Sequence, residues 1–212
     1  MRLLDPTEIR VLGSLIEKQQ TTPEYYPLTL NALVAACNQK SNRDPVMELA
    51  EADVDRALAR LQDEKLVWRV LGGRATRWDH NLDSAWQLDR GAKSLVAVLF
   101  LRGPQTAGEL RTRTERMAHF ESIEEVESLL RVLSARAEPL VRELPRRPGQ
   151  KENRWAHLLG GAVADETPAV ESRSSESDAR AEPLSVRMER LEQRVAALSE
   201  DLERLKKTLG EA

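Results

Sequence analysis

Apolar positions along the first 160 residues follow one order of periods twice: three stretches at helical spacing, then two short runs with strand character. The first stretch opens at Leu4-Asp5-Pro6-Thr7-Glu8, where Asp5 can cap, Pro6 suits the first helical position and Glu8 completes a capping-box register. Ile9, Leu12, Leu15 and Ile16 follow on one face. Thr29 caps a second helix carrying Leu33 and Val34, and a third runs from about Glu51 with Val54, Leu58 and Leu61. Val67 to Leu71, Gly72-Gly73 and Arg74 to Trp78 then read as a hairpin with a tight turn.

The second round repeats this order. Leu88-Asp89 opens a helix with Leu95, Val96, Leu99 and Phe100; Thr106 to Leu110 is a capping box; Ser122 caps a third helix with Val126, Leu129, Leu130 and Leu133. A hairpin from Leu140 to Leu158 closes it, ending Arg154-Trp155-Ala156-His157 where the first ended Arg77-Trp78-Asp79-His80. Matched elements lie 84, 77, 72 and 77 residues apart, so the elements are the same and the loops differ. Helix, helix, helix, hairpin is the winged-helix order. The predicted fold is mainly α with small β wings (α+β): winged-helix domains at 1–87 and 88–161, a flexible linker at 162–183 and a coiled-coil helix at 184–209.

The linker assignment rests on six acids, two arginines and only two branched aliphatics between 162 and 183, too little apolar surface to repay ordering. Beyond it Leu184, Met188, Leu191, Val195, Leu198, Leu202, Leu205 and Leu209 alternate spacings of four and three, a heptad seam with leucine at every d position. The seam predicts a homodimer, and its flanking charges leave the strand orientation open.

Composition narrows the chemistry. The chain of 212 residues is 41% hydrophobic and 32% charged, with a formal net charge of -3, so any basic surface is local. Cys37 is the single cysteine, which excludes an intrachain disulfide and fits a cytoplasmic location. The longest apolar run, Leu95 to Leu101, is far short of the ~20 residues of a membrane span. Phosphate-binding glycine loops, His-Glu-x-x-His and Gly-x-Ser-x-Gly are absent, no cofactor is implied, and the expectation is a non-enzyme. Of the three histidines, His80 and His157 hold equivalent places after a hairpin strand, which favours a structural role. The polar run Asn38 to Asp44 also reads as structural, a long turn.

Candidate binding residues are basic. Hairpin one carries Arg69, Arg74 and Arg77 with no acid from Val67 to Trp78; hairpin two carries Arg142, Arg146, Arg147, Lys151 and Arg154 against Glu143 and Glu152. The second helix of the second round adds Arg111, Arg113 and Arg116. Arginines on extended hairpins reach backbone phosphates or a narrow minor groove. The third helices, which enter the major groove in helix-turn-helix readers, open instead with Glu48, Glu51, Asp53 and Asp55, and with Glu121, Glu124, Glu125 and Glu127. Two functions stay open: a double-stranded-DNA-binding protein of transcription-regulator type using basic wings, and a tandem winged-helix protein-interaction scaffold without direct DNA contact.

The stretch Glu17-Lys18-Gln19, Thr21-Thr22-Pro23-Glu24, Tyr26-Pro27-Leu28 and Ala36 to Met47, with Leu101-Arg102-Gly103-Pro104-Gln105-Thr106 and Gly108-Glu109-Leu110-Arg111, resembles the YceH family of uncharacterised bacterial proteins. The resemblance covers roughly residues 4 to 159. It implies tandem winged helices, and it carries no activity and no functional residues. One departure is Ala50, where a capping serine would be usual.

Overall fold

A computed structural model describes residues 2–71, 75–146 and 152–160. These form an α+β structure of seven helices and two small antiparallel sheets. The first repeat holds α1 (Pro6–Thr21), β1 (Leu28–Thr29), α2 (Leu30–Cys37), α3 (Glu51–Asp63), β2 (Val67–Val70) and β3 (Arg77–His80). A short α4 (Leu82–Ala85) leads into α5 (Arg90–Arg102), α6 (Ala107–Thr114), α7 (Ile123–Ser134), β4 (Val141–Leu144) and β5 (Arg154–His157).

Local chemistry sets the helix starts. Asp5 accepts from the Glu8 amide at 2.9 Å while the Glu8 carboxylate accepts from the Asp5 amide at 2.7 Å, closing the box. Thr29, Asp89, Thr106 and Ser122 each accept from the backbone three residues on. At Ala50 only the reciprocal half survives, the Asp53 carboxylate accepting from the Ala50 amide at 3.0 Å. Gly103 ends α5 at φ 68°, a conformation that side chains resist.

Burial divides the helices into two kinds. On α3 only Val54, Ala57, Leu58 and Leu61 are buried, one stripe of an amphipathic helix. By contrast α1 is buried continuously from Glu8 to Ile16, and α5 from Ala92 to Leu101. The reason is that α1 and α5, besides packing in their own repeats, pack against each other. Gly13 makes that approach close: a Cβ there would lie 2.9 Å from Leu101 and 3.0 Å from the Phe100 Cβ. The two repeats therefore share one hydrophobic core, and all described residues fall in one compact unit.

The sheets repeat too. Val67 pairs with His80 as Val141 pairs with His157. Leu28 on β1 pairs with Trp78, and Gln105 bridges Trp155 in the same place, 77 positions later in each case. Period alone did not reveal this third edge, because two residues are too short to show alternation. Trp78 and Trp155 are buried at matching positions.

The Asn38–Asp44 run is structural. The Asn38 side chain exchanges two 2.8 Å hydrogen bonds with the Leu49 backbone, and the Asp44 amide donates to the Leu101 carbonyl at 2.8 Å. Arg43 is 5% exposed and donates to both Glu17 carboxylate oxygens, the Ala36 carbonyl, the Asn42 carbonyl and Gln39. Arg10, 2% exposed, donates to the Cys37 and Pro45 carbonyls. The linker at 162–183 and the heptad from Leu184 to Leu209 lie outside the described residues.

Candidate nucleic-acid interface

Each hairpin pairs strands that carry a valine and a tryptophan, and its register brings particular arginines to the surface. On hairpin one, Arg69 pairs across the strands with Trp78, and its guanidinium lies over the indole, 4.9 Å from the ring centroid. Arg77 is exposed and donates to the Pro27 carbonyl at 2.7 Å. On hairpin two, Arg142 pairs with Ala156 and is exposed, whereas Arg154 pairs with Leu144 and is half-buried. Glu143, the acid on β4, accepts from Asn153 at 2.8 Å. Arg146 is exposed beyond β4. Arg74, Arg147 and Lys151 lie outside the described residues.

Among the described residues, Arg69, Arg77, Arg142 and Arg154 have no carboxylate within ion-pair distance. Four helix arginines contrast with this: Arg56 pairs with Asp53, Arg60 with Asp5, Arg113 with Glu109 and Arg131 with Glu127. Arg111, grouped with the hairpins by its charge, donates to the Phe120 carbonyl at 3.0 Å and to the Glu121 carbonyl at 2.9 Å, closing the α6–α7 connection. The described candidate arginines thus fall in three places: two hairpins and the end of α6. Arg102, which no local pattern marked, stands beside Arg113 and Arg116 at the last of these. On the third helices Glu51, Asp55, Glu124 and Glu125 are exposed.

Comparison with known proteins supplies a relationship without a described activity. The family described as "Protein of unknown function, DUF480" matches residues 4–150. A UPF0502 protein of Mesorhizobium japonicum is 48% identical over 206 residues, covering 96% of each chain. Another, from Geobacter metallireducens, is 51% identical over 201 residues, covering 94% of this chain and 89% of its own. A third, from Pseudomonas fluorescens, is 48% identical over 204 residues, 95% and 93% of the two chains. The chain belongs to the DUF480 (UPF0502) family. The YceH resemblance carried by Glu17 to Met47 points to the same family.

In this DUF480 protein burial shifts the titration of Cys37, His80 and His157 toward their uncharged forms. Desolvation pushes the Cys37 thiol up to about 11, so the thiolate is scarce at neutral pH. His80 is held down at about 4 by burial and by the charge of Lys93, against weaker support from Asp79 and Asp83. Its Nε2 meets Gln19 Oε1 at 2.8 Å, and its Nδ1 accepts from the Leu82 amide at 3.3 Å. His157 is also held at about 4 by burial, its ring edge-on to Phe100 at 5.1 Å. Among the described residues no cluster of His, Cys, Asp and Glu could hold a metal, and no helix is long and apolar enough to cross a membrane.

Proposed function

We propose that this protein is a non-catalytic, double-stranded-DNA-binding protein of transcription-regulator type, built from two winged-helix units that grip backbone phosphates with their hairpins. The observation that carries the reading is where charge is left available: Arg69, Arg77, Arg142 and Arg154, all on the two hairpins, lack carboxylate partners among the described residues, whereas Arg56, Arg60, Arg113 and Arg131 on the helices have them. A guanidinium without an internal carboxylate keeps its charge available to a phosphate. The winged-helix assignment is supported by the order of three helices and a hairpin in each repeat, and by the β1 or Gln105 edge that precedes the second helix. The exposed acids on α3 and α7 oppose major-groove entry by those helices, which leaves phosphate contact by the hairpins. Self-association through the Leu184 to Leu209 seam belongs to the same reading, since a dimer would present two sets of hairpins.

Binding of a labelled duplex by the full chain, followed by anisotropy across a salt series, tests this. Affinity should fall linearly in a double-logarithmic plot with a slope of about −0.9 per phosphate contacted. An absence of binding at low salt ends the proposal. Light scattering on the full chain and on one ending at Gly161 tests the dimer: the full chain should scatter as a dimer and the shorter one as a monomer. The exposed acids of α3 and α7 favour a second reading, a protein-interaction scaffold that does not touch DNA. A partner retained from nuclease-treated lysate by a chain that binds no duplex would select it.

A further inference from the structure

A cleft of about 40 Å³, open to solvent, lies where α1, α5, the end of α6 and the α2–α3 connection meet. That is room for a few water molecules or one small anionic group. Three arginines line it, Arg102 from α5, Arg113 from α6 and Arg116 just beyond. Val98, Leu101 and Met117 supply an apolar wall.

The charge at this cleft is not cancelled from within. Glu17 also lines it, but Arg43 takes both its carboxylate oxygens at 2.7 and 3.2 Å, and Lys18 stands 3.5 Å away. Arg113 shares Glu109 at 3.2 Å, while Glu109 also accepts from the Thr106 amide at 2.9 Å. Arg102 is held by a neutral acceptor, Asn42 Oδ1 at 2.9 Å. Arg116 is exposed and has no partner among the described residues. The guanidinium of Arg102 is accordingly easier to deprotonate than usual, by desolvation first and by Arg113 second, despite Asp44 and Glu109 nearby. Unneutralised positive charge in a concave, partly apolar wall concentrates anions.

We propose that this cleft binds a small phosphate monoester, with the phosphate on Arg102, Arg113 and Arg116 and the ester carbons against Val98, Leu101 and Met117. A phosphate monoester carries nearly two charges and three terminal oxygens, one for each guanidinium; a carboxylate offers one charge and two oxygens. The site stands between the repeats and does not depend on the hairpins binding DNA.

The test uses the full chain and glycerol 3-phosphate in isothermal titration, with dimethyl phosphate at matched ionic strength as the singly charged diester. Glycerol 3-phosphate should give one saturable site, dimethyl phosphate only heat of dilution. Arg116→Gln should weaken binding about tenfold or more, the loss of one charged hydrogen bond. Its unliganded melting temperature should match the parent, which separates lost recognition from lost folding. Arg102→Gln should weaken binding similarly. No saturable heat, equal binding of the diester, or full binding by Arg116→Gln overturns the proposal. So does an Arg116→Gln chain that loses duplex DNA affinity while keeping glycerol 3-phosphate, because the guanidinium would then serve the DNA backbone.

Discussion

The two repeats share a frame and differ in the segment between their second and third helices. The edge at β1 or Gln105, the second helix and the closing strand are each offset by 77 residues, whereas the third helix is offset by 72. Repeat one joins α2 to α3 across residues 38–50; repeat two joins α6 to α7 across residues 115–122. The longer connection is tied down from buried positions by Arg10 and Arg43, which satisfy the carbonyls of Ala36 and Cys37 at the end of α2 and of Pro45 within the connection. The shorter one is closed by the half-buried Arg111, and the arginines after it, Arg113 and Arg116, face a cleft. One residue type thus does different work in the same frame, decided by how much backbone needs covering.

Removing the buried anchor should have the largest effect. Arg43→Met should cost about 3–5 kcal/mol in urea unfolding, since it strips the Glu17 carboxylate and the Ala36 carbonyl of their donor inside the fold. A loss below about 1 kcal/mol would show that the connection carries little stability and would dissolve the contrast with repeat two.

Acid should come next. The folded protein refuses a proton on His80 until about pH 4, whereas the unfolded chain accepts one near 6.5. Stability is therefore full above about pH 6.5, falls as pH drops toward 4 and levels off below, by roughly 3 kcal/mol for this group. His157 titrates in the same sense over the same window. His80→Gln and His157→Gln should each remove part of the slope, and the double variant most of it. A slope unchanged in both single variants would place the acid sensitivity elsewhere.

Arg111→Ala should cost less than Arg43→Met, about 1–2 kcal/mol, because water can reach the carbonyls of Phe120 and Glu121 when the guanidinium leaves. An equal loss in both variants would mean that connection length does not decide the role. The smallest change in stability belongs to Arg142→Gln with Arg154→Gln, within about 0.5 kcal/mol, since neither has a described carboxylate partner. That pair should nonetheless lower the salt dependence of duplex binding by about one unit for each phosphate no longer gripped.

Much of the fold was legible along the chain. Asp5, Thr29, Asp89, Thr106 and Ser122 mark helix starts because a cap acts within three residues of itself. The hairpins and their repeat showed in the same way, through local turn chemistry and the returning Arg-Trp strand. The equivalence of His80 and His157 was legible from the returning Arg-Trp strand, and each pairs across its hairpin with a valine.

What an arginine does was not legible, because that depends on which carbonyls and carboxylates come near it from distant parts of the chain. Arg111 was grouped with the hairpin arginines by charge, yet it serves the backbone at Phe120 and Glu121. Arg102 gave no local signal, since its partner Asn42 is 60 residues away. The sequence by itself determined the element order, the caps and the repeat, all products of interactions spanning a few residues. Only the tertiary structure decided that α1 and α5 meet through the space left by Gly13, merging two cores into one and setting Arg102, Arg113 and Arg116 around a common cleft.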